Sequence, residues 1–280
     1  MKPAIVGLLL WLGSTSSTYA VVDSTSEAAN QPTTKNPPVT TIEHDSWGTT
    51  PGAPANTIPD SSGSSDQADA NAILTPFTAR YTSEWNLGWF SIDIKGSRKL
   101  EQQEDGHWKL TFKADSSAAT LLEESIFDLE NGQIQPLEYR YKVSGLVTEP
   151  DRSLEFLPNT EIIRDHKKKK DHTNQWAPGI QDAQTYMLQA SLDLSLHPTL
   201  PLSYPVFEKK KTKVFNFEII GEEVIKTRAG KLNTVKIQQV RKDNRKVTVW
   251  LLKDKQFLLA RLVDKKNGKT RYKIDLVAID

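Results

Sequence analysis

From Pro76 to Asp280 apolar and polar residues alternate in short runs separated by turn residues, the period of two that half-covered β-strands require. Phe77, Ala79 and Tyr81 alternate with their neighbours, as do Trp89, Ser91 and Asp93, and Asn86-Leu87-Gly88 stands between the two runs as a turn. Residues 95–103 and 107–114 meet at Glu104-Asp105-Gly106, and residues 126–129 and 133–141 meet at Asn131-Gly132. Asp-Gly and Asn-Gly adopt the positive φ angles of tight hairpins, so two in succession imply an antiparallel meander.

Short strands over 154–157 and 160–164 continue around Pro158-Asn159. The pattern then switches. After Pro178-Gly179, the residues Ile180, Ala183, Met187 and Ala190, with Leu188 and Leu192, recur at helical spacing, predicting one helix over 180–192. Asp182 near its start suits the positive end of the helix dipole. Strands are predicted again over 213–221, 223–227, 232–241, 246–253, 256–264 and 270–278. The fold class expected is mainly β, a strongly curved antiparallel sheet, open or closed into a barrel, with one helix.

The first 75 residues read differently. Lys2, the apolar run 4–13 and Thr18-Tyr19-Ala20 form a secretory signal peptide over 1–20, with the mature chain expected from Val21. Its apolar run is about half of the roughly 20 residues needed to cross a bilayer. Residues 21–75, rich in Ser, Thr, Pro, Asn, Asp and Ala, cannot bury enough surface to order themselves and read as a disordered linker. Trp47, beside Glu43, His44 and Asp45, is its one aromatic. Residues 76–280 then form a single β-rich domain. Cysteine is absent, which excludes disulfides, thiolate metal sites and a lipidated cysteine, so the chain is not expected to be a lipoprotein. A net charge of +1 offers no global field for nucleic acid. The expected location is the periplasm, with no membrane span once the signal is cleaved.

Several short motifs recur in a fixed order. They are Tyr81 and Trp85 with Gly88-Trp89-Phe90, Pro136-Leu137-Glu138-Tyr139, Asp182-Ala183-Gln184-Thr185, Gly221-Glu222-Glu223-Val224, the run 227–237, and Val249-Trp250-Leu251 with Asp254. In this order the chain resembles the bacterial family of unknown function numbered thirty-one-oh-eight, over most of 76–280. The resemblance implies an exported, β-rich envelope protein, similar in outline to curved-sheet carriers and binding domains of the periplasm. It implies no catalytic residues and no cofactor.

Candidate sites are few. No Gly-x-Ser-x-Gly elbow is present, and the adjacent acids Glu123-Glu124 and Glu222-Glu223 point to opposite faces of a strand, which does not provide a facing carboxylate pair. Asp165, His166, Asp171 and His172 are metal-ligating types, but Lys167, Lys168, Lys169 and Lys170 between them repel a cation, so no metal is expected. The same lysines, with Lys209, Lys210, Lys211 and Lys213, suit an acidic headgroup. Trp89, Trp108 and Trp176 lie near turns and are the aromatics expected to line an apolar cleft. The reading that follows is a non-catalytic periplasmic module binding an amphipathic lipid, lipopolysaccharide or glycan. Its alternatives are an envelope hydrolase or glycan-modifying enzyme using cleft carboxylates, and a scaffold that recruits an envelope protein through a strand edge.

Overall fold

The computed structural model describes residues 74–87, 90–146, 149–199 and 201–280, apart from the side chains of 84–93. The expected signal peptide, nearly all of the linker including Trp47, and Trp89 lie outside the described residues.

The strands run in chain order as β1 (Phe77–Leu87), β2 (Phe90–Gln102), β3 (Trp108–Asp115), β4 (Ala119–Glu130), β5 (Gln133–Gly145), β6 (Arg152–Leu157), β7 (Ile162–Asp165) and β8 (Lys170–His172). The helix α1 (Thr185–Leu196) follows. After it come β9 (Leu202–Glu208), β10 (Lys211–Thr227), β11 (Gly230–Gln239), β12 (Arg245–Leu252), β13 (Leu258–Lys266) and β14 (Lys269–Ile279). All fourteen strands belong to one sheet, ordered β8-β7-β6-β5-β4-β3-β2-β1-β14-β13-β12-β11-β10-β9, so two meanders are joined where β1 pairs with β14. Every ladder is antiparallel.

Alternation writes the inner face directly. On β3 Trp108, Leu110, Phe112 and Ala114 are buried, and on β4 Ala119, Leu121, Glu123, Ser125 and Phe127, with the residues between them partly or fully exposed. Asn131-Gly132 and Asn267-Gly268 each place both residues at positive φ, at 50° and 76° and at 51° and 76°, the geometry of a tight hairpin. Bulges at Arg80/Tyr81, Ile126/Phe127, Trp250/Leu251 and Asp264/Lys265 tighten the curl.

The sheet curls around α1 but does not close. Edge strands β8 and β9 form no ladder with each other, and the chain between them bridges the seam. His172 of β8 sets its ring against Phe207 of β9 at 5.0 Å. Gln181 donates its amide to Pro205 O (2.8 Å) and accepts from the Phe207 amide (2.9 Å), a single parallel bridge on the free edge of β9. Gln175 Oε1 accepts from the Thr212 amide at 2.8 Å on the next strand.

That bridge corrects the predicted helix. Residues 180–184 are taken by β9 and by a turn in which Asp182 Oδ1 accepts from the amides of Gln184 (2.7 Å) and Thr185 (2.9 Å), so the helix starts at Thr185 and runs on to Leu196. Nine of its twelve residues are buried, including Thr185, Gln189 and Ser191. Gln189 meets the cost of burial by accepting from the Ile134 amide (2.7 Å) and donating to Gly132 O (3.0 Å). Two further corrections concern strands. Residues 213–227 are one long strand with a bulge at Ile219/Gly221 rather than two, and β9 and the first half of β4 go unmarked by the sequence pattern.

Two apolar clusters fill the curl. The larger one packs Tyr139, Phe156, Met187, Phe207, Leu262 and Leu276 among many others. The smaller one gathers Leu100, Trp108, Leu110, Phe127, Ile134, Leu188 and Leu192 beside the second half of α1. Each aliphatic or Phe side chain wholly withdrawn from water there contributes about 1.5–3 kcal/mol.

Candidate functional site

Charge enters this interior at inward strand positions. In β2 the inward residues are Ile94, Gly96, Arg98 and Leu100, so parity alone carries a guanidinium into the core. Cross-strand pairing continues from Arg98 to Phe112 of β3, Glu123 of β4 and Tyr141 of β5, which puts an acid two strands from the cation. Asp182, at the foot of α1, completes a buried trio; the three are 2%, 4% and 0% exposed.

Both acids hold hydrogen bonds, though Asp182 Oδ2 has no partner of its own. Glu123 accepts a short hydrogen bond from Tyr139 Oη. Burial lifts its carboxyl to about 7, against the pull of the Tyr139 hydroxyl and with a further push from the Asp182 charge. Asp182 rises to about 6, chiefly through burial, offset by the Thr185 and Gln184 amides and Ser125. The cation is not occupied. Arg98 Nε and Nη2 meet no hydrogen-bond partner, and burial lowers its pKa while the Tyr81, Tyr186, Glu123 and Asp182 groups raise it.

Arg98 also lines a cavity of about 290 Å³. The walls are Leu74, Pro76, Phe77, Leu100, Leu188, Leu192, Leu258 and Ile279, with Ser191 on the helix. Exposed Asp254, Lys255, Gln256 and Asp280 stand at its rim. Neither Glu123 nor Asp182 lines it. Chemically the space offers apolar burial and one buried positive charge, Arg98, while the Lys255, Asp254 and Asp280 charges stand at its exposed rim.

The residues singled out from sequence fall elsewhere. Trp108 is buried in the smaller apolar cluster, because it begins β3 on the inward parity shared with Leu110 and Phe112. Trp176 is partly buried against the larger cluster. Neither lines the cavity. Lys167–Lys169 lie in the exposed β7–β8 turn, and the exposed Lys170 begins β8. Lys167 pairs with Asp151 at 3.5 Å, and Lys168 with Asp165 at 2.7 Å while donating to Lys209 O at 3.4 Å. The fold thus brings the lysine run beside the Lys209–Lys211 turn, but it does not border the cavity. The metal-ligating types of that loop are engaged separately, Asp171 by Arg164 and His166 by Glu155, and among the described residues no three such groups converge. Sequence reading missed Arg98; its signal was an arginine on the inward parity of a strand.

A curled, unclosed antiparallel sheet around one buried helix defines a barrel-like β protein. The chain belongs to the family DUF3108, described as a protein of unknown function, which matches residues 77–276. Among solved structures it is similar to a β-barrel-like protein of domain of unknown function DUF1849 from Brucella abortus, at 9% identity, covering 74% of this chain and 98% of that one with a TM-score of 0.51. That likeness is one of fold. Looser matches are MucB in the Pseudomonas aeruginosa MucA/MucB complex (13% identity, 76% of this chain and 53% of that one, TM-score 0.32) and LprF from Mycobacterium bovis (16%, 75% and 88%, TM-score 0.24). No curated protein matches the chain by sequence. Among the described residues no helix is long and apolar enough to cross a membrane.

Proposed function

We propose that the chain is a non-catalytic binding module of the bacterial cell envelope, exported by its residues 1–20, that takes the apolar chain of an amphipathic ligand into the cavity beside α1. The observation that carries this reading is the cavity itself, whose inner walls are Leu, Phe, Pro and Ile side chains with Arg98 and Ser191 among them, and whose mouth is polar. An apolar pocket with one convergent polar group is the usual form of a small-ligand site. Its volume lies near the small end of the roughly 300–1,000 Å³ typical of such sites, which suits one acyl chain better than two.

A hydrolase is the second reading, favoured by the coupled acids Glu123 and Asp182. It is the weaker one, since both acids lie outside the cavity lining and Asp182 Oδ1 is committed to the start of α1. The test is displacement of an environment-sensitive fluorophore from the mature protein by single-chain and two-chain lipids. Saturable displacement by single-chain amphiphiles at one equivalent is expected. Leu188→Trp, which fills the cavity from the helix, is expected to abolish it; no saturable binding by any amphiphile overturns the proposal.

A further inference from the structure

We infer that Arg98 makes the cavity selective for an oxyanion head: the ligand is a single-chain amphiphile whose carboxylate or phosphate sits against the guanidinium. This rests on the cavity reading above and names its ligand class.

Three observations converge on it. Arg98 is 2% exposed, yet its Nε and Nη2 have no hydrogen-bond partner. A guanidinium does not shed its proton in a protein, so burial without a partner is costly and cannot be relieved by neutralisation. The nearby acids act on it by charge but form no hydrogen bond with it. Glu123 holds Tyr139 and Asp182 Oδ1 holds the first turn of α1, while Asp182 Oδ2 is itself without a hydrogen-bond partner, and burial raises both carboxyls, to about 7 and about 6.

The geometry of the two idle nitrogens adds chemistry. Nε and Nη2 form one edge of the planar fork, the edge that receives two oxygens of a carboxylate or phosphate in a bidentate pair. Arg98 lines a cavity whose other walls include Phe77, Leu100, Leu188, Leu192 and Leu258, and its two idle nitrogens are themselves withdrawn from solvent. An oxyanion there would gain a charge-assisted pair in a site of low dielectric, and its chain would be buried against those walls. A neutral head of the same chain length gains only the second term.

The experiment compares dodecanoate, dodecyl phosphate and dodecanol, titrated into the wild type, Arg98→Met and Arg98→Lys by fluorophore displacement. The wild type is expected to bind at least one of the two anions about tenfold or more tighter than the alcohol. Which anion leads identifies the head. Arg98→Met is expected to bind all three alike, near the alcohol value, and Arg98→Lys to keep part of the preference as a point charge. Equal binding of anions and alcohol by the wild type overturns the role of Arg98 while leaving the cavity reading in place. Binding of none of the three overturns the cavity reading instead. The wild-type comparison is decisive even if Arg98→Met does not fold.

Discussion

Two buried ions on the same sheet are treated in opposite ways. Asp264 of β13 is 0% exposed and accepts from Arg245 Nε of β12 at 2.9 Å and Arg271 Nη1 of β14 at 3.2 Å. Arg98 of β2, almost as deep, has two nitrogens with nothing to bond. The first charge is answered within the fold, so the protein alone accounts for its presence. The second borders a space, and the fold answers it only through the charges of Glu123 and Asp182 nearby, with no hydrogen bond to its Nε or Nη2.

If that contrast is right, the two ions respond oppositely to removal. Asp264→Ala leaves Arg245 and Arg271 facing a site with no counter-charge and is expected to cost about 3–5 kcal/mol. Arg98→Met removes a buried charge whose Nε and Nη2 have no hydrogen-bond partner and keeps most of the side-chain volume. In ligand-free protein it is therefore expected to be neutral or stabilising. Urea unfolding of both variants checks the pair. A loss for Arg98→Met as large as for Asp264→Ala would make Arg98 an ordinary structural charge and dissolve the contrast.

The acids beside Arg98 supply the next prediction. Glu123 is raised from 4.5 to about 7 and Asp182 from 3.8 to about 6 in the folded protein. Between the unfolded and folded values the native state holds more protons than the unfolded chain. Stability is therefore greatest below the unfolded values and falls as pH rises through the folded ones. At about 1.4 kcal/mol per unit, Glu123 alone accounts for roughly 3 kcal/mol between pH 4.5 and 7. Glu123→Gln is expected to flatten that decline, gaining on the wild type from pH 5 to pH 8 in urea midpoints. A difference between the two proteins that does not change with pH would mean that Glu123 stays ionised inside the fold.

How much of this was legible in the sequence depends on which rule a residue obeyed. Strands governed by alternation and hairpins governed by Asn131-Gly132 could be read, because local chemistry decides them. The start of α1 could not, since Ile180 and Ala183 fit the helical period but Gln181 is held by β9, more than twenty residues ahead in the chain. Trp108 stands near a turn, but its parity with Leu110 and Phe112 places it in the smaller apolar cluster and outside the cavity lining. The same parity places Arg98 and Glu123 inside. Glu123 was passed over as half of an adjacent acid pair, although adjacency says only that the pair is split between faces. What no pattern discloses is which inward charge finds a partner, because the partners lie on strands distant in sequence.

The smallest expected effect concerns the lysines. Lys167, Lys169 and Lys170 are exposed, and the Lys167–Asp151 pair, with side chains 53% and 38% exposed, is of the kind worth about 0–1 kcal/mol. None of them borders the cavity. Changing all three to Ala is therefore expected to leave urea stability within about 1 kcal/mol and the dissociation constant for dodecanoate within about twofold. If these lysines act at all on an anionic ligand, they do so by long-range attraction. The signature would be a slower association rate at low ionic strength that vanishes when salt shortens the screening length. Stopped-flow binding at low and high salt separates this from a contact role. A loss of affinity in the lysine variant that exceeds the loss in Arg98→Met, and that persists at high salt, would move the headgroup from the buried guanidinium to the surface turn. The unpaired nitrogens of Arg98 would then again be without a function.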